Sequence, residues 1–163
     1  MYSPQSRTIG HSLRCEYNRS TRFHGDFLAC PFFMPTERAD DIAFPHPARL
    51  PLGCSWRGTC LVSGHEHAAL SNVELESCNL GYAKSCPRLP HERVCDAVRF
   101  AVINESRELI SLHFVLEKAY LPISHGTLTY DQFSKSWTLP HPDLGVQKKA
   151  ECFLKSYLDK KPT

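Results

Sequence analysis

Apolar and polar positions alternate most regularly in the last two fifths of the chain. Val98, Phe100 and Val102 fall at every second position of 97–104. Ile110, Leu112, Phe114 and Leu116 do the same in 109–117, with Ser111, His113 and Val115 between them. A period of two puts each set on one face of a strand. Residues 105–108 read as the polar turn between the two, and 127–130, after His125-Gly126, as a short third strand. Three antiparallel strands with one apolar face need a covering layer.

The C-terminus supplies that cover. A helix is predicted from near Asp143, just after Pro142, where proline suits a helix start. Val146, Ala150, Phe153, Leu154, Tyr157 and Leu158 recur at helical spacing on one arc; Lys148, Lys149, Cys152 and Lys155 occupy the other. Burying the four largest of those apolar side chains would contribute about 6–12 kcal/mol before entropy is subtracted. A second helix is predicted over 72–80. Ser71 and Glu74 have capping-box spacing, Gly81 can take the left-handed stop, and Cys78 falls in the last turn.

The remainder is different in texture. Residues 1–25 read as a polar, flexible tail with four arginines (Arg7, Arg14, Arg19, Arg22) and no apolar core of a secretory signal. Residues 26–95 carry six of the eight cysteines, most of the prolines and only short apolar runs. The expected fold is therefore α+β: one domain over 26–163, in which an irregular cysteine-rich metal-binding layer packs on a small antiparallel sheet covered by the C-terminal helix. Hydrophobic residues at 42% and charged residues at 22% suit a globular chain of 163 residues with a buried core. A formal charge of +2 gives no strong nucleic-acid signal, and no apolar run is long enough to span a bilayer. A cytoplasmic location is expected.

In a reducing compartment clustered cysteines point to metal or redox chemistry rather than disulfides. The eight lie at 15, 30, 54, 60, 78, 86, 95 and 152. Cys15 falls in the tail and Cys152 on the polar arc of the last helix, so both are expected to be poor ligands. Cys30-Pro31 and Cys86-Pro87 match the Cys-Pro pair at the last ligand of ferredoxin-type runs. Cys60 follows the tight segment Trp56-Arg57-Gly58-Thr59, and Cys78 ends a helix. The expected ligand set is Cys30, Cys60, Cys78 and Cys86, with Cys54 and Cys95 in reserve. Intervals of 29, 17 and 7 residues lack the close paired knuckles of structural zinc. Four isolated thiolates from separate segments suit an iron–sulfur cluster, expected as [4Fe–4S], with Phe32, Phe33, Trp56 and Tyr82 to shield it; zinc is the alternative.

The strings Cys30-Pro31-Phe32-Phe33-Met34-Pro35, Pro45-His46-Pro47-Ala48-Arg49-Leu50-Pro51-Leu52-Gly53, Cys78-Asn79-Leu80-Gly81-Tyr82-Ala83 and Asp96-Ala97-Val98-Arg99-Phe100 resemble those of a small uncharacterised bacterial protein family. The resemblance covers 30–160. It implies a bacterial origin and no particular activity.

The histidines offer one competitor. His65 and His67, in Gly64-His65-Glu66-His67, could join Cys60 in a mixed Cys/His site, whose open position would make the protein a metal-dependent enzyme. His46, His91, His113, His125 and His141 read as turn or surface residues. A thiol nucleophile at Cys95, near His91 and Asp96, is a lesser candidate. No HExxH, GxSxG, Walker or GxGxxG pattern occurs. The function expected is a small iron–sulfur protein in electron transfer or redox sensing, with a redox or protein partner; the alternative is a zinc-stabilised interaction module.

Overall fold

The alternating segment folds as an antiparallel meander. The computed structural model describes residues 28–42, 44, 50–66, 68–81 and 86–161. The tail expected over 1–25, with Cys15, lies outside them, as do His46, His67 and Tyr82. In chain order the elements are β1 (Phe33–Arg38), β2 (Trp56–Cys60), α1 (Asn72–Leu80), β3 (Ala97–Glu105), β4 (Leu109–Lys118), β5 (Leu121–Asp131), β6 (Ser136–Trp137) and α2 (Leu144–Asp159). They form a two-stranded sheet, β1-β2, and a four-stranded sheet ordered β3-β4-β5-β6, both antiparallel. The fold class is α+β.

Cross-strand register explains the apolar face of the larger sheet. Phe100 pairs with Phe114, Val102 with Leu112, and Leu112 with Leu128. These side chains meet Val146, Ala150 and Leu154 of α2 in one core, so the C-terminal helix covers the sheet as the periodicity requires. Asp143 caps α2, its carboxylate accepting the Val146 N–H at 2.9 Å.

The third strand is longer than expected: β5 starts at Leu121, not Thr127. The turn before it is made by Ala119 and Tyr120, both left-handed at φ 50° and 66°. Two positive φ values define the tight hairpin turn that glycine or asparagine usually makes, so nothing in Ala-Tyr announces it.

The cysteine-rich part is more ordered than an irregular layer. Its centre is the β1-β2 hairpin, where Gly58 opposes Pro35. A Cβ on Gly58 would run into the Met34 carbonyl and the Phe33 ring, so only glycine lets the strands close there. Helix α1 has the predicted bounds, the reciprocal Ser71–Glu74 capping box, and Gly81 at φ 72°.

Helix α2 corrects a second expectation. Half of its expected polar arc is buried: Lys149 is 0% exposed and Cys152 4%, with Ser156 at 0% beside them, while Lys148 is half-buried and Lys155 exposed as expected. Gly145, Lys149, Cys152 and Ser156 form a stripe at helical spacing that faces the hairpin layer rather than water. Cys152 joins the core of Phe33, Trp56 and Cys78, Arg38 bonds Asp159 at 2.7 Å, and Lys160 donates to the Gly53 carbonyl. Small side chains let the two layers approach closely, which is why this face carries no apolar signature. No helix among the described residues is long and apolar enough to cross a membrane.

Candidate metal centre

Four separate segments carry the candidate ligands. Ala29 exchanges two backbone hydrogen bonds with Val98 (2.9 and 3.0 Å), pinning the chain to the edge of β3 just before Cys30. A turn then closes from the Phe33 N–H to the Cys30 carbonyl at 3.2 Å. Cys60 ends β2 opposite Phe33, and the next N–H, of Leu61, bonds Phe32 O at 2.8 Å. Cys78 lies in the last turn of α1, its carbonyl accepting the Cys30 N–H at 3.4 Å. Cys86 opens a turn closed by the Leu89 N–H at 3.2 Å. Arg88, inside that turn, pairs with Glu74 of the α1 capping box at 2.7 Å.

The thiols of Cys30, Cys60 and Cys86 lie within electrostatic reach of Cys78. Cys78 interacts with Cys30, Cys86 and Cys60, and Cys60 with Cys30 and Cys86. All four are free thiols; Cys30, Cys60 and Cys78 are buried and Cys86 is half-buried. The Cys78 thiol is hydrogen-bonded to Cys30, and this bond holds Cys30 below the usual thiol range against the opposing effect of burial. The backbone N–H groups of Phe32 and Phe33 and the Lys149 ammonium add to the lowering. Cys78 is pushed up, first by sharing its proton with Cys30 and then by burial. Burial also raises Cys60, partly offset by a hydrogen bond at Val62 and by the Arg88 charge.

The reserves differ. Cys95 is near enough to feel Cys30, whereas buried Cys54 acts on Arg38. Cys152 belongs to the core, its thiol pushed up to about 12 by burial. It is not the exposed residue its place in the sequence suggested.

Other candidates fall away from the focus. His65 is exposed in a turn, its N–H bonded to Val62 O at 2.9 Å. His113 and His125 pair at 5.6 Å between ring centroids, on strands β4 and β5. His141 packs edge-on against Phe114 at 4.9 Å and accepts the Asp143 N–H, so Pro140-His141-Pro142 is a helix-start segment. The Cys95 nucleophile loses support: burial raises its thiol, and Asp96 is engaged with Arg93 at 2.6 Å and with the Ala119 N–H.

Comparison with known proteins adds no template. No protein-family model, no curated protein and no solved structure matches this chain.

Two features bear on what the focus could hold. Among the described residues, no three His, Cys, Asp or Glu side chains are placed to grip one metal ion. A zinc ion with bonds of about 2.3 Å draws its sulfurs into a tight tetrahedron, whereas an iron–sulfur cluster spreads its thiolates over several metal atoms. A surface hollow of about 340 Å³ lies at Asp41, Ile42, Phe44, Arg57, Asn72, Val73 and Glu76, with no cysteine in its wall.

Sequence reasoning missed Asn79. It is 1% exposed, its Oδ1 accepts the Trp56 N–H at 2.9 Å, and its Nδ2 donates to Trp56 O at 2.9 Å and Leu75 O at 2.8 Å. It straps α1, which carries Cys78, to β2, which carries Cys60. A polar residue beside a cysteine in the last turn of a helix was the available signal.

Proposed function

We propose that this is a small iron–sulfur protein in which Cys30, Cys60, Cys78 and Cys86 hold one cluster, read as [4Fe–4S], serving electron transfer or redox sensing. The observation that supports the reading is that three free thiols from separate segments, Cys30, Cys60 and Cys86, act on a fourth, Cys78. Buried cysteine is often just a small hydrophobe, but a Cys30–Cys78 hydrogen bond that holds one thiol low, within electrostatic reach of Cys60 and Cys86, favours thiolate chemistry.

When bound, such a cluster supplies one-electron chemistry. The chain's own residues set its surroundings. Phe33 and Trp56 are buried beside the thiols in the same core and keep water out. Cys86 is the only one of the four that is not fully buried, so an electron would cross on that side. Four cysteine ligands leave no position for substrate, which favours carrying or sensing electrons over substrate chemistry.

The test is metal and sulfide analysis on protein isolated without oxygen. The reading requires about four irons and four acid-labile sulfides per chain, with broad visible absorption that dithionite reduces. One zinc per chain in colourless protein would move the conclusion to a zinc-stabilised module. Neither metal, with the fold intact, would end both readings.

A further inference from the structure

Lys149 is the most deeply buried charged residue among the described residues. It is 0% exposed, and a lone buried ammonium costs several kcal/mol unless something negative faces it. An ammonium has three protons to donate. Two go to carbonyls, Pro31 O at 2.8 Å and Gly145 O at 3.1 Å. Among the described residues no carboxylate pairs with it at salt-bridge distance.

The groups that act on Lys149 are Cys30, Asp143, Cys95 and Cys152. Burial keeps Cys95 and Cys152 in their neutral form. Asp143 is exposed and committed to capping α2. That leaves Cys30, next to the Pro31 whose carbonyl Lys149 grips, as the buried group on which its charge acts.

We propose that Lys149 is the counter-cation of the cysteine centre: a positioning residue that holds positive charge against Cys30 and thereby raises the potential at which the centre accepts an electron. The inference rests on the iron–sulfur reading. The step it concerns is addition of one electron from an external reductant, with no bond made and no proton moved. The reduced centre carries one more negative charge than the oxidised one, so a fixed cation in a low-dielectric site stabilises it more.

The experiment compares intact wild-type protein with Lys149→Gln and Lys149→Arg by anaerobic titration with dithionite and redox mediators. Glutamine keeps a donor for the carbonyls but removes the charge; arginine keeps both. We expect the Lys149→Gln midpoint to fall by at least a tenfold change in the one-electron equilibrium, about 59 mV, while Lys149→Arg stays near wild type. Loss of iron from Lys149→Gln with iron retained in Lys149→Arg would also support the charge requirement. Equal midpoints in wild type and Lys149→Gln would overturn the proposal, as would equal falls, or equal loss of iron, in both variants. Wild-type protein without iron would overturn the parent reading and this inference with it, an outcome distinct from iron-bearing protein with an unmoved midpoint.

Discussion

Replacing Asn79 with alanine tests whether the strap between α1 and β2 holds the cysteine focus together. The substitution removes three hydrogen bonds and leaves the N–H and carbonyl of buried Trp56 without the partners that Asn79 supplies. An unsatisfied buried backbone group costs about 1–3 kcal/mol, so the loss should be about 2–6 kcal/mol. The Leu75 carbonyl adds little, because the α-helical bond from residue 79 still engages it. For a chain of this size that corresponds to a fall in Tm of about 5–20 °C. Urea unfolding of the metal-free protein, extrapolated linearly to water, measures it directly. Asn79→Asp is the informative companion. It keeps the acceptor for Trp56 N–H but turns an oxygen toward two carbonyls, so it should be at least as damaging. Protein isolated without oxygen should carry less iron in both variants, since Cys78 and Cys60 lose their common anchor. A loss below about 1 kcal/mol in Asn79→Ala would show that water or a local shift replaces the strap, and the reasoning would fail.

Serine at Cys30, Cys60, Cys78 or Cys86 should each abolish the visible absorption of the isolated protein. Cys152→Ser should leave colour intact but lower stability by about 1–3 kcal/mol, because it buries a hydroxyl in the core; absorption spectra and urea midpoints separate the two effects. Asp41 is held down to about 2, first by its hydrogen bonds from Arg57. The stabilisation from that pair should be present above the ordinary aspartate value of 3.8 and fade as pH falls toward 2, and Arg57→Gln should return the Asp41 carboxyl titration, followed by NMR, to the ordinary range. Ala119→Gly should stabilise the β4-β5 hairpin by about 1 kcal/mol, by removing a side chain from a left-handed position; a lowered urea midpoint would contradict this.

What could be read from the residues depended on whether local pattern and tertiary burial agreed. Strands β3 and β4, helix α1 with its capping box, and the start of α2 all announce themselves because their apolar period or cap chemistry is local. The β1-β2 hairpin does not. Pro35, Arg38 and Gly58 interrupt its short strands, and its order comes from contact with α2 and the Ala29 bridge. The first half of β5 was hidden by Ala-Tyr in a turn that usually shows glycine. Lys149 and Cys152 were read as surface because a helix packed on two sides has a second stripe, and here that stripe is small or polar. The choice of Cys30, Cys60, Cys78 and Cys86 rested on their flanking prolines, glycines and helix end, which are local signals. The bond from Lys149 to Pro31, beside Cys30, spans 118 residues, a separation that no local pattern encodes.

The two-sided burial of α2 divides the molecule's cohesion unequally. Its sheet-facing side is held by apolar contacts with β3, β4 and β5; its other side shares the core that includes Cys30, Cys78 and Cys152 and adds polar bonds from Lys149 and Lys160. If the centre is lost, opening should therefore begin in residues 28–95 while the sheet and final helix stay closed. Unfolding of the bare protein would then be stepwise rather than all-or-none. If the cysteines hold a centre, susceptibility of the first half to a protease would report whether that centre is filled.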